Sequence, residues 1–291
     1  MIPLPRALVL ALGFYFGIPV VQISGTLQGQ TAPTDSILAI AHTLFTEASI
    51  LANQGHQDEA ESKFQRVLDI REKALGLDHP DVALTLHNLG FIYNAQGRYA
   101  EAEPLLRRAL IIREAALGPQ HLEVALTLNS LAFTYGVRSR YEEAEPLYER
   151  ALAIDEIVLG PNHLEVAHVL SNLGMLYDDL DRYIEARSVY ERVLAIRETV
   201  LGLGHPDVAD ALINLASLYH HQELYAEAIP LYRRSLDIRE VEFGPEHSDT
   251  GLALENLILA CELFFALPYI AQEQQSITAP ESMTVLCRPS P

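Results

Sequence analysis

The chain has 291 residues, 49% of them hydrophobic, and its 39 acidic residues outnumber 20 Lys and Arg to give a formal net charge of −19. Nucleic acid is excluded as the natural partner, because phosphate binding needs clustered cations. An anionic membrane surface is disfavoured for the same reason.

The N-terminal 33 residues stand apart. Met1 to Arg6 is short and basic, and Ala7 to Ile23 is an uncharged apolar run interrupted by Gly13, Gly17 and Pro19. Small residues follow at Ser24-Gly25-Thr26. Basic, apolar and small, in that order, is the layout of a secretory signal. No clean Ala-x-Ala cleavage site is present, so an uncleaved membrane anchor and a misassigned start are the alternatives. The expected location is outside the cytoplasm, periplasmic or secreted, or at a membrane held only through this segment.

From residue 37 onward the chain repeats itself. His79-Pro80-Asp81-Val82-Ala83 returns as His205-Pro206-Asp207-Val208-Ala209, with near copies starting at His121 and His163 and a worn one at His247, every interval being 42 residues. A fixed period of this size marks stacked units rather than one globular core. Within a unit, Leu86, Leu89, Ile92 and Tyr93 share one helix face. Pro80 and Asp81 suit its start and Gly97 its end. A second helix follows, with Leu105, Leu106, Ala109, Leu110 and Ile112 on one side and Gly118 after it. Each unit is therefore an antiparallel helix pair that buries its apolar face only by stacking. Alanine recurs where the two helices cross, at Ala60, Ala102, Ala144, Ala186 and Ala228. A small residue recurs at Ala48, Gly90, Ala132, Gly174 and Ala216, with a ring beside it at Tyr93, Tyr135, Tyr177 and Tyr219.

These columns resemble the tetratricopeptide repeat. The 42-residue period, with Gly-Arg-Tyr-x-Glu-Ala-Glu-Pro-Leu and Leu-Gly-x-x-His-Pro-Asp-Val-Ala, resembles its kinesin light chain subtype. The resemblance implies an all-α, right-handed α-solenoid of antiparallel helix pairs with a C-terminal capping helix. It spans residues 37–271, with repeats at about 42–83, 84–125, 126–167, 168–209 and 210–251, a capping helix over 252–271 and a disordered tail over 272–291. The heptads through which kinesin light chains dimerise are absent, so a motor-adaptor role does not carry over.

Chemistry finds no foothold. No nucleophile elbow, phosphate loop, dinucleotide fingerprint or HExxH motif is present, so neither an enzyme nor a cofactor is expected. The column His79, His121, His163, His205, His247 cannot share a metal, since stacked helices lie about 10 Å apart and zinc ligands about 2 Å from the ion. These histidines are expected to cap or pack the loops that start the first helices. Arg71, Arg113, Arg197 and Arg239, late in the second helices, are expected to pair at the surface, with Asp155 breaking the column. Cys261 and Cys287 either form one disulfide in an exported protein or stay apart.

Function is expected on the first helices, which by the resemblance line a concave groove. Asn88, Asn172, Asn214 and Asn256 form one ladder, with Thr46 and Ser130 at its other positions. Asparagine offers a donor and an acceptor to an extended backbone; the competing reading is that these residues bond neighbouring helices. Leu84, Phe91, Leu126, Phe133 and Met175 form an apolar strip that is a partner site if exposed and core if covered. The segments 37–54, 84–96, 126–137, 168–181 and 210–223 contain no Lys or Arg, while Asp178, Asp179 and Asp210 are present. A neutral or basic, partly apolar protein or peptide is the expected partner, without a small-molecule cofactor or nucleic acid. The expected role is a non-catalytic protein-interaction scaffold. The alternatives are a structural component of the cell envelope and a regulatory subunit of an enzyme encoded elsewhere.

Overall fold

The computed structural model describes residues 33–267 and 280–287. The expected signal or anchor lies outside them except for its last residue. By contact the described chain forms two compact units, residues 33–160 and 161–287. The first unit holds α1 (Pro33–Asn53), α2 (Gln57–Leu75), α3 (Pro80–Ala95), α4 (Tyr99–Leu117), α5 (Leu122–Gly136) and α6 (Tyr141–Leu159). The second holds α7 (Leu164–Asp179), α8 (Tyr183–Leu201), α9 (Pro206–His221), α10 (Tyr225–Phe243), α11 (Ser248–Ala266) and α12 (Pro280–Leu286). No strand occurs among the described residues. Consecutive helices pack as antiparallel pairs, α1 with α2, α3 with α4, α5 with α6, α7 with α8 and α9 with α10.

The repeated loop motif starts each first helix. At His79, His121, His163, His205 and His247 the imidazole Nδ1 accepts a hydrogen bond from the backbone N–H two residues on, at 3.1–3.2 Å. That satisfies one of the donors that a helix N-terminus leaves bare. Pro80 and Pro206 occupy the first turn, where a missing N–H is no loss. The sequence places the cap at these histidines, and the observed pairs accordingly begin at 80, 122, 164 and 206, four residues ahead of the expected repeat boundaries. Gly118, in the loop between pairs, takes φ +87°, and Gly97, in the turn within a pair, φ +74°; both lie in the left-handed region that glycine enters without penalty.

The crossing columns are dense. Ala60, Ala102 and Ala144 in one unit, and Ala186 and Ala228 in the other, are fully buried. A Cβ on Gly90 would stand 2.6 Å from Leu106 Cγ, and one on Gly174 would stand 2.5 Å from Tyr190 Cε1. Glycine is thus what lets the paired helices approach at those two positions. The Gly-Arg-Tyr signature also has a structural reason. The Arg98, Arg140 and Arg182 guanidiniums lie 4.0–4.2 Å over the rings of Tyr93, Tyr135 and Tyr177. Arg98 also pairs with Glu61 at 2.6 Å and with Glu101 at 2.7 Å, clamping the turn within one repeat to the second helix of the repeat before it.

The two ends of the described chain are less regular than the repeats between them. By length and composition alone, the span Thr34–Asn53 of α1 is apolar enough to cross a membrane, the single such helix among the described residues. Its Ala41, Phe45, Ala48 and Ala52 are buried, in one cluster with Ala60, Phe64 and Val67 of α2. Core helices meet the same criterion, so this apolarity is weak evidence of a membrane. At the other end, the tail expected to be disordered over 272–291 contains α12, packed against α10, and Cys261 is bonded to Cys287. Its buried Met283 anchors it, a contribution that seven residues of polar-looking sequence do not announce. The rest of that tail lies outside the described residues.

Candidate functional site

Positions i, i+4 and i+7 share a helix face. Leu84, Asn88 and Phe91 therefore stand together on α3, Leu126, Ser130 and Phe133 on α5, and His168, Asn172 and Met175 on α7. Within each unit the first helices are direct neighbours, α3 touching α5 and α7 touching α9. The strip residues are partly covered. Phe91, Phe133 and Met175 are half-buried, and Leu126 is 37% exposed. Leu84 is the most committed to packing, resting on the cluster formed by α1, α2 and α3. Phe133 meets Tyr99 edge-on, with ring centroids 6.5 Å apart, which fixes its direction.

The polar ladder bonds within its own helices at the positions resolved in detail. Asn88 Nδ2 donates to the Leu84 carbonyl at 2.8 Å. Thr46 and Ser130 donate to the carbonyls of His42 and Leu126, each at 3.1 Å. Asn172 and Asn214 are half-buried on α7 and α9. Asn256 on α11 has a buried Nδ2 with no hydrogen-bond partner. A buried amide N–H without an acceptor carries a desolvation penalty of about 1–3 kcal/mol.

Two of the acids assigned to the groove are engaged internally. Asp178 Oδ2 lies 2.8 Å from His221 Nδ1, tying the end of α7 to the end of α9. Asp210 Oδ1 accepts from Arg239 Nη2 at 2.6 Å. Burial pushes the Asp210 carboxyl up, opposed by Arg239 and Arg197. Both carboxylates therefore have partners within the protein.

The arginine column is a correction. Arg71, Arg113 and Arg239 are buried, with 6%, 1% and 2% of their surface exposed, and Arg197 is half-buried. Each sends Nη1 to the backbone carbonyl ten residues on, at Asp81, Glu123, Asp207 and Asp249, with distances of 2.8–3.0 Å. Arg71 and Arg113 also donate to the hydroxyls of Thr85 and Thr127. They are rivets between one repeat's second helix and the next repeat's first helix. Burial lowers Arg113 to about 10, with Glu123 opposing the shift. The missed signal was in the sequence: Thr follows Arg at the fourteenth residue twice, whereas Val169 stands at that place after Asp155.

The family model described as tetratricopeptide repeat matches residues 39–115, 81–156, 123–199 and 207–263. No curated protein sequence matches the chain. Among solved structures, the chain is similar to a kinesin light chain-like protein of Podosopora anserina with nearly identical TPR-like repeats, at 25% identity, 71% of this chain, 98% of that one and a TM-score of 0.59. It is similar to BtubC (BKLC) from P. vanneervenii at 20% identity, 90% of this chain, 96% of that one and a TM-score of 0.57. The apo form of RapI aligns at 17% identity over 81% of this chain and 79% of that one, with a TM-score of 0.63. The last two likenesses concern the fold alone.

Proposed function

Because the chain belongs to the tetratricopeptide repeat family, whose members are generally protein-interaction scaffolds, we propose that it binds an extended partner segment along its first helices without catalysing a reaction. The observation that carries this reading is the strip Phe91, Leu126, Phe133 and Met175. In the first unit Phe91, Leu126 and Phe133 are left half-buried or exposed on the helix faces that carry Asn88, and in the second unit the half-buried Met175 shares a helix face with Asn172. Apolar pockets supply choice and asparagine amides supply grip on a main chain. With no Lys or Arg in these segments, the fitting partner is neutral or basic and partly apolar.

Export is part of the proposal. It is supported by the Cys261–Cys287 disulfide, since such bonds persist in oxidising compartments, and by the basic-apolar-small order of the first 26 residues. N-terminal sequencing of native protein tests it; protein beginning at Met1 in a soluble cytoplasmic fraction contradicts it.

The binding claim is tested by affinity capture with mass spectrometry, followed by isotherms on the captured partner. Asn172→Ala should weaken binding by about 1–2 kcal/mol, one or two intermolecular hydrogen bonds. Phe133→Ala should weaken it more, as a central anchor does. Melts of both variants should stay near the parent's. A sharply lowered melt with affinity intact would return these residues to the core.

A further inference from the structure

The second helices start at Gln57, Tyr99, Tyr141, Tyr183 and Tyr225, and each runs 19 residues. The same period puts a sixth at Leu267, and residues 268–279 lie outside the described residues. Beyond α11 the described chain resumes as α12, seven residues long and starting at Pro280, which packs against α10.

Three links hold α12 in that place. Met283 is 2% exposed, in one cluster with Ile229 and Tyr232 of α10 and with Leu257, Ala260 and Phe264 of α11. Arg233 Nε on α10 donates to the Leu286 carbonyl at 2.8 Å, meeting the helix C-terminus with a positive charge. Cys287 is bonded to Cys261, with the two Cα atoms 5.9 Å apart. A helix of this length is unstable by itself in water, because the cost of nucleating it is spread over too few hydrogen bonds. The burial of Met283 and the two N–H groups that Arg233 gives to the Leu286 carbonyl are a small return for ordering it. The covalent link changes that balance by holding α12 at high effective concentration over its seat. Cys261 is buried and Cys287 half-buried, so the bond is open to attack from the Cys287 side.

We propose that α12 is a redox-governed cap, which covers the end of the array while the Cys261–Cys287 disulfide is intact and leaves when a dithiol reductant cleaves it. The reductant's thiolate attacks Cys287 Sγ and Cys261 departs as a thiolate that takes up a proton. The reductant's second thiol then displaces Cys287, leaving two protein thiols and an oxidised reductant. Release withdraws Met283 from the apolar cluster of α10 and α11, so that contact is made in an oxidising compartment and lost in a reducing one.

Hydrogen exchange read by mass spectrometry tests this on the full chain as oxidised protein, after dithiothreitol, and as Cys287→Ser without reductant. The expected result is at least tenfold faster exchange over 280–287 and a smaller rise over 257–266 in both altered samples. Residues 80–136 should be unchanged, and protection should return on re-oxidation of the parent. Unchanged protection over 280–287 in the reduced parent would overturn the proposal, since Met283 and Arg233 would then suffice. So would an equal rise throughout α7–α10, which would make the bond a support of the whole unit rather than a latch on its end.

Discussion

At the scale of single residues, space between paired helices is the tightest quantity in this protein. Gly174 faces the rigid ring of Tyr190, whereas Gly90 faces the end of a Leu106 side chain that can rotate away. Gly174→Ala should therefore lower stability by about 1–3 kcal/mol, and Gly90→Ala by less, both read from urea unfolding. Equal losses would mean that the backbone and not the facing side chain sets the cost. A second residue-scale effect is electrostatic. Burial holds the His87 imidazole well below its usual range, and Arg113 acts in the same direction. His87 Nδ1 has no hydrogen-bond partner. An unfolded histidine titrates near about 6.5, so below that pH the unfolded chain takes up a proton that the folded chain refuses. Stability from this group is present above about pH 6.5 and falls as pH drops, by at most about 1.4 kcal/mol per pH unit. Ile213 fills the same column three repeats later, so His87→Ile should fold. Thermal melts between pH 7 and 5 should show a shallower decline in that variant than in the parent; parallel declines would contradict the assignment.

At the scale of helices, the joint between consecutive pairs is a buried guanidinium. Arg113→Ala removes the donor to the Glu123 carbonyl and the Thr127 hydroxyl and should cost about 3–5 kcal/mol, as breaking a buried charged link does. Arg107→Ala, one and a half turns earlier and 62% exposed, should stay within about 0.5 kcal/mol. Similar small losses for both would mean that apolar packing alone holds the joint. This joint also shows where sequence reading reaches its limit. Helix faces, capping histidines, small-residue columns and the two turn glycines were legible because each depends on local spacing. Arg71, Arg113 and Arg239 looked like surface cations because burial is decided by the next repeat's helix N-terminus, ten residues on. The seat of α12 was illegible for a related reason: nothing local tells a seven-residue segment that Met283 will find α10 and α11. Of the candidate groove, the helix faces were legible, but the internal pairing of Asp178 with His221 and of Asp210 with Arg239 was not, since those contacts cross between helices.

At the scale of the whole molecule, stability should accumulate with repeats, because each pair contacts only its neighbours. A fragment of residues 37–125 should unfold at a much lower urea concentration than residues 37–287, and equal midpoints would contradict a stacked array. Function should follow the same layering, with the partner on the first helices and the second helices presenting solvent-facing side chains such as Ile157 and Ile184, 75% and 79% exposed. The most direct test places a photo-crosslinking residue, in living cells, at Phe133, Met175, Ile157 or Ile184 in turn. The account predicts one shared protein partner captured from Phe133 and Met175 and not from the two isoleucine positions. Capture from Ile157 or Ile184 alone, with nothing from the first helices, would contradict it.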